Sequence, residues 1–235
     1  MLFRSTYKLS DQWSVTGGLR YYDFEEDRLL TFHGVFVDTV RTNEPGSASS
    51  DGVSPRVILS FEANDDLQFN AQVARGFRLG GVNDPLNEGL CPVGSPDFVQ
   101  FSQFPRWDDE EVTNYEIGMK SRLADRTVTF NAGVFFTDLD GLQVITDAGT
   151  CSSRVVLNAQ AETLGAEVEL FARPSDNWDF GITATWVDAE IKETQVGTNG
   201  QPIGGIREGN RLTTSPELQA AARSEEHTSE LQSPI

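Results

Sequence analysis

Apolar and polar residues alternate at every second position in several segments of the chain. The clearest is segment 127–137, in which one side carries Val128, Phe130, Ala132, Val134 and Phe136. The other side is polar or small, with Phe135 as the exception. The same alternation recurs in residues 53–61, 67–73, 114–120, 164–170 and 178–186. A period of two predicts β-strands whose two faces meet different surroundings.

The connections between these segments are alternately short and long. Short turns are predicted at residues 10–12, 64–65, 124–126 and 174–176. Long connections are predicted at residues 26–52, 79–111, 147–152 and 191–210. This order predicts an antiparallel up-and-down meander of about nine strands, the last at residues 211–222. Strands of about ten residues, with tight turns at one end and long loops at the other, are typical of transmembrane β-barrels in bacterial outer membranes.

Some segments depart from the simple pattern. Segments 127–146 and 153–173 are longer than a bilayer requires, and are interrupted at 138–141 and 158–162. These interruptions predict bulges, or strands that extend beyond the membrane. The first long connection contains LLTF and VFVD around His33-Gly34, which predicts a small hairpin of its own. His33 is therefore expected to be a turn residue and not a ligand.

Composition is compatible with a barrel and argues against several other classes. Only 38% of the 235 residues are hydrophobic, and no apolar run is long enough for a membrane-spanning helix. A barrel needs no such run, because only every second residue faces lipid. The formal net charge of −18 argues against nucleic acid as a partner, because phosphates would be repelled.

Catalytic and metal-binding patterns are absent from the sequence. There is no GxSxG, HExxH or paired Cys/His arrangement, so we expect no enzyme, no cofactor and no metal site. The acidic run 108–111 allows a calcium site, but its spacing is not that of an EF-hand, and a solvated loop rim is favoured. Cys91 and Cys151 fall in long loops at the same end, which favours a disulfide between loops over two free thiols.

The two ends of the chain differ from its middle. Residues 223–235 read RSEEHTSELQSPI, show no alternation, and resemble the translation of a sequencing-library adapter. We predict that this tail is non-native and disordered, and that residues 1–222 form the natural barrel segment. The first residues contain no signal peptide, so the chain is expected to lack its natural N-terminus.

Five motifs, in order, resemble those of TonB-dependent outer-membrane receptors. They are GLRYYD at 18–23, ARGFRLGGVNDPL at 74–86, the stretch from WDDEEVTNYEIGMK to DGLQV at 107–144, NAQAETLGAEVELFARPSDNWDF at 158–180, and GNRLTTSPE at 209–217. They cover nearly all of residues 13–222 and fall on the strands and loops already predicted.

This resemblance implies a fold, a location and partners. Such receptors have barrels of about 22 strands, so this chain is expected to be a partial, all-β antiparallel barrel of about nine strands, without the plug domain that fills the family's barrels. The resemblance implies the outer membrane of a Gram-negative bacterium, lipid contact, and coupling to TonB through a missing N-terminal region. The implied function is uptake of a scarce nutrient, most often an iron–siderophore complex.

Candidate functional residues follow from the same framework. Substrate contacts are expected in the loops, from Phe77, Arg78, Phe98, Phe101, Phe104 and Trp107. Aromatic residues in a loop can equally pack the loop against itself. Inward-facing polar residues are expected to line a wet interior or contact a plug, or only to pair with one another: Arg20, Arg56, Gln68, Asn70, Gln72, Asn114, Glu116, Lys120, Glu167 and Glu169. A passive porin-type channel and a secreted β-sandwich binding module remain alternatives.

Overall fold

In the described part of the chain, the fold is a broad antiparallel sheet with a small two-stranded sheet, a short α-helix and a 3-10 helix (Gly149–Cys151) attached. The computed structural model describes residues 2–34, 41–213 and 215–226. The elements within this part are β1 Leu2–Lys8, β2 Trp13–Phe32, β3 Arg41–Asn64, β4 Leu67–Arg78, β5 Gly81–Val82, α1 Pro96–Phe101, β6 Arg106–Trp107, β7 Glu110–Leu123, β8 Val128–Asp147, β9 Arg154–Ser175, β10 Trp178–Ile191 and β11 Leu218–Glu226. Among the described residues, no helix is both long enough and apolar enough to cross a bilayer.

Nine of these strands form one meander, as predicted. Their order is β1-β2-β3-β4-β7-β8-β9-β10-β11, and β5 pairs only with β6 inside the connection between β4 and β7. The sheet is an open part of a barrel, not one half of a sandwich. Val134, Phe180 and Ile182 are 53%, 43% and 50% exposed, whereas a sandwich would bury them in a dry centre. The β-sandwich alternative is therefore wrong.

The strand register places apolar residues opposite apolar residues, and polar or small residues opposite one another, across the sheet. One transverse row is apolar and consists of Val15, Leu59, Ala71, Ile117, Val134, Ala166, Trp186 and Leu218. A neighbouring row on the opposite face is polar or small and consists of Ser14, Ser60, Asn70, Gly118, Gly133, Glu167, Thr185 and Gln219. A slip of one residue would place polar groups on the apolar face, so the pattern itself fixes the pairing. In a barrel, the apolar face meets lipid and the polar face encloses the interior.

The first long connection is shorter than predicted. We expected a loop at 26–52 with a separate hairpin, but β2 runs to Phe32 and β3 begins at Arg41. The two strands stay paired as far as Leu30 opposite Glu44, with a register shift before Phe32 pairs with Arg41. Charged residues on both faces resemble a loop in sequence, yet a strand that leaves the bilayer has no need of an apolar face. His33 follows β2 directly, and residues 35–40 lie outside the described part.

The bulge predicted at 138–141 is confirmed. The pairing of β8 with β9 shifts between Leu139 and Leu142, so that Asp140 and Gly141 face the single residue Gln160. Gly141 has a φ of +70°, and a Cβ there would lie 2.5 Å from the carbonyl oxygen of Asp109. Only glycine fits both the backbone conformation and the space.

The last strand begins and ends later than predicted. We expected it at 211–222, but Arg211 makes only an isolated bridge with Glu190, and β11 spans Leu218–Glu226. Pro216, which lacks an N–H group, interrupts the ladder just before the strand. The predicted disorder from 223 onward is wrong for 223–226, which pair with β10. Residues 227–235 lie outside the described part, and the non-native origin of the tail stays a prediction.

Candidate functional site

The main buried core lies where the long loops at one end pack on the ends of the strands, and not along the barrel wall. Three connections at one end, residues 79–109, 148–153 and 192–213, fold together into a unit that we call the loop cap. Its core contains Leu86, Cys91, Phe101, Ala148, Cys151, Ile203 and Ile206, and the adjoining ends of β9 and β10 add Val155, Leu157, Ala159 and Ile191. Because these side chains are buried together, the long connections form one folded unit and not separate extended loops.

The loop cap packs on the inward side of β8 and β9. Along β9, the buried residues Val155, Leu157 and Ala159 lie on the same face as Glu167, because their spacing is even. On β8, the bulge turns Leu142 and Val144 to that face, opposite Ala159 and Leu157. The inward face is thus polar along the barrel wall and apolar beneath the cap. This change was not predicted, although the apolar phase of β9 reverses between residues 161 and 164.

A disulfide joins two loops of the cap. Cys91 and Cys151 are bonded with an S–S distance of 2.11 Å across 60 residues of sequence. Beside it, the Asp97 carboxylate accepts hydrogen bonds from the Thr150 backbone N–H at 2.8 Å and hydroxyl at 2.5 Å. These donors, the hydroxyl first, hold the pKa of Asp97 below its ordinary value. A Cβ at Gly149 would lie 2.6 Å from that carboxylate, so glycine makes the approach possible.

Side-chain amides fasten the first cap loop to the strands. The amide of Asn83 donates to the carbonyl oxygens of Phe104 and Val156, both at 2.9 Å, and accepts from the Val156 N–H at 2.8 Å. Asn158 accepts from the Asp108 N–H at 2.7 Å and donates to its carbonyl oxygen at 2.9 Å. Each side-chain amide makes, with one backbone residue, the pair of hydrogen bonds that a neighbouring strand would make. The asparagines of two sequence motifs therefore hold the loop in place.

Two of the carboxylates in the acidic run 108–111 are also used in fastening. Glu110, 8% exposed, pairs with Arg78 at 2.5 Å and accepts from the Gln143 N–H at 2.8 Å. Asp109 accepts from the Gly80 N–H at 2.6 Å and from the Ser50 hydroxyl. Neither the favoured solvated rim nor a calcium site describes these two groups, because they hold the ends of β4, β7 and β8 together.

The structure places the six predicted substrate contacts in two settings. Phe77 stacks on Tyr22 at 3.4 Å between ring centroids, and the Arg20 guanidinium lies 5.2 Å from its centroid. Arg78 forms the ion pair with Glu110 described above, and the ring of the nearby Trp107 covers Gly81. The other three, Phe98, Phe101 and Phe104, meet in the cap and line one cavity of about 320 Å³.

The polar residues predicted to face inward share the polar face of the sheet. Several are hydrogen-bonded to one another across strands. Arg56 donates to the Gln72 side-chain oxygen at 2.6 and 2.9 Å, and Gln72 donates to Glu116 at 3.1 Å. Asn131 donates to Glu169 at 3.2 Å. These cross-strand hydrogen bonds keep the inward face of the wall polar, as a water-filled or protein-filled interior requires.

Comparison with known proteins gives one family. A family model described as "TonB dependent receptor-like, beta-barrel" matches residues 3–226. The probable TonB-dependent siderophore receptor PiuA of Acinetobacter baumannii is 21% identical over 185 residues, which are 78% of this chain. The match covers 23% of that relative, so the chain spans less than a quarter of its length.

Solved structures of an uptake receptor and of transporters share this fold. The ferric yersiniabactin uptake receptor FyuA from Yersinia pestis has a TM-score of 0.67 at 22% identity, covering 93% of this chain and 29% of that chain. The copper transporter OprC has a TM-score of 0.65 at 15% identity, covering 96% and 32%. The ferric citrate transporter FecA has a TM-score of 0.59 at 15% identity, covering 91% and 28%. At these identities the likeness establishes the fold.

Proposed function

Because this chain belongs to the TonB-dependent receptor-like β-barrel family, whose members are outer-membrane transport receptors and not enzymes, we propose that it acts in TonB-energised import of an iron–siderophore complex. The membrane concerned is the outer membrane of a Gram-negative bacterium. The observation that carries the proposal is the family match across residues 3–226, which spans every strand of the sheet. The siderophore part of the proposal is supported by the similarity to the A. baumannii siderophore receptor.

The loop cap supports import through a receptor more than passive diffusion. A passive channel needs an open mouth, whereas here the cap packs a disulfide-bonded core on the inward face. A folded surface at the outer end can present fixed contacts to a large solute before it enters. The predicted contacts Phe77, Arg78 and Trp107 lie at the base of this cap, where the strands end.

The test is growth and uptake with the natural gene deleted. Cells under iron limitation receive single purified ferric siderophores, and radioactive iron uptake is measured before and after deletion. We expect loss of uptake for one siderophore class, restored by the natural gene, and the same loss when TonB is removed. Uptake that persists without TonB, together with slower diffusion of small solutes after deletion, would instead support a passive channel.

A further inference from the structure

We propose that the cavity beside the loop cap binds an uncharged or cationic ring-bearing group. It lies between the β2–β3 hairpin, which contributes Leu30 and Pro45, and the first cap loop. Its volume is about 320 Å³. An apolar cavity of about 150 Å³ suffices for benzene, so this one has room for a fused bicyclic ring.

The walls of the cavity favour a ring. Ten of its fourteen lining residues are apolar, and the phenyl rings come from Phe98, Phe101 and Phe104. Sites for small molecules commonly combine such a lining with a few polar groups that fix orientation. Here the one lining amide, Asn83, already uses its side-chain oxygen and nitrogen in hydrogen bonds to the backbone. The cavity therefore recognises its occupant mainly through apolar contact.

The charges at the cavity disfavour an anion. Its charged lining residues are Asp84 and Glu88, none of the fourteen is basic, and the nearby Arg28 guanidinium is engaged by the Val82 carbonyl oxygen. Three lining residues are prolines, Pro45, Pro85 and Pro105, which have no N–H group to donate to an anion. A cationic substituent on the ring would be attracted by the Asp84 carboxylate, and an anionic one would be repelled.

The cavity is bounded by fastened elements. The Asn83 amide holds β5 to β9, the disulfide Cys91–Cys151 holds the next part of the loop, and the Arg28 guanidinium donates to the Val82 carbonyl oxygen. A site whose walls are already fixed loses little conformational entropy when it is filled.

If the proposed function holds, the occupant is part of the imported complex. The inference about cargo then rests on that function: the siderophore carries an aryl or heterocyclic group without negative charge. The binding property of the cavity does not depend on it and can be measured separately.

Three probes with one ring system test the inference: indole, tryptamine and indole-3-acetate. The receptor, expressed from its natural gene and placed in lipid nanodiscs, is titrated with each, and binding is followed by saturation-transfer NMR. We expect tryptamine and indole to bind, and indole-3-acetate to bind roughly tenfold more weakly or not at all. Equal affinity for the anionic and cationic probes, or no binding of indole, overturns the proposal.

Matched variants locate the binding. Ser102→Phe, at the exposed rim of the cavity, should fill it and abolish indole binding, whereas Ser49→Phe on β3 should leave it unchanged. Asp84→Asn should reduce the preference for tryptamine over indole-3-acetate, and Asp125→Asn at the opposite end should not. Unchanged binding in Ser102→Phe refutes the cavity as the site. Iron uptake that persists after gene deletion refutes the proposed function instead, so the two failures are distinguishable.

Discussion

Single glycines explain why aromatic residues appear on the polar face. Phe135, the exception in an otherwise regular strand, lies directly opposite Gly165, and a Cβ there would be 2.2 Å from the Phe135 Cζ atom. Phe171 covers Gly181 in the same way, at 3.0 Å from the position of its Cβ. An aromatic ring laid over a strand glycine covers exposed backbone and fixes the local register. The sequence shows the exception, but only the pairing shows its partner.

Replacing Gly165 with alanine should therefore destabilise the sheet. The new methyl group and the Phe135 ring cannot share the same space, and overpacking of this kind costs about 1–3 kcal/mol. Urea unfolding of the receptor in vesicles, followed by tryptophan fluorescence, measures the change. Gly17→Ala in β2 is the matched control, because no atom lies within 4 Å of its added Cβ. Equal stability of the two variants would contradict this account.

Asp97 makes the stability of the cap depend on pH in the acid range. The pKa of Asp97 is lowered in the folded state by the Thr150 hydroxyl and N–H, so its contribution to stability is present above the unfolded pKa of about 3.9. That contribution is lost as the pH falls through the lower, folded pKa. We expect pepsin to cleave the cap more readily as the pH falls below about 4.

Thr150→Val is the test of this carboxylate. It removes the hydroxyl donor and brings the folded pKa of Asp97 closer to the unfolded value, so the rise in cleavage that this carboxylate causes on acidification should be smaller. Asp97→Asn should remove this component of the pH dependence. A rise that is the same in all three proteins would show that other carboxylates govern the acid response.

Among the elements, the cap is the part whose structure depends most on long-range contacts. Its loops have little regular structure, and the disulfide joins residues 60 positions apart. Replacing both cysteines with serine should lower the free energy of opening the cap by about 2–5 kcal/mol. Hydrogen exchange of residues 84–104 should rise steeply, while exchange in β2 and β10 stays unchanged. A uniform rise across the sheet would mean that the disulfide supports the barrel and not the cap alone.

Sequence pattern predicted elements well where one face meets lipid and less well beyond it. The alternation located the core of β8, and the interruption at 138–141 predicted its bulge. The same rule failed for β2 and β3, which continue as a paired hairpin with charges on both faces. It also failed to place the phenylalanines of the cap, because loop packing depends on contacts between segments far apart in sequence. The family motifs predicted the receptor family, but not that Asn83 and Asn158 within them fasten the first cap loop to β9.

At the scale of the whole molecule, the two faces of the sheet should differ in how well they tolerate an added charge. Val134 lies in the middle of an apolar row and is 53% exposed, as a lipid contact would be. Val134→Arg should cost about 2–4 kcal/mol near the bilayer midplane. Thr185→Arg, in a polar row of the opposite face, should cost far less. Heat-modified mobility on gels reports folding of each variant in lipid, and equal loss in both would contradict the assignment of faces.

The structure of the cap also determines which epitopes an antibody or a selected binder would recognise on this protein. Its outer surface is assembled from three stretches of chain that a shared buried core, the disulfide and the side chains of Asn83 and Asn158 hold together. An antibody raised against the native receptor would therefore recognise a discontinuous epitope. A linear peptide copied from any one stretch would reproduce little of it, so a useful immunogen must carry the cross-linked loops together.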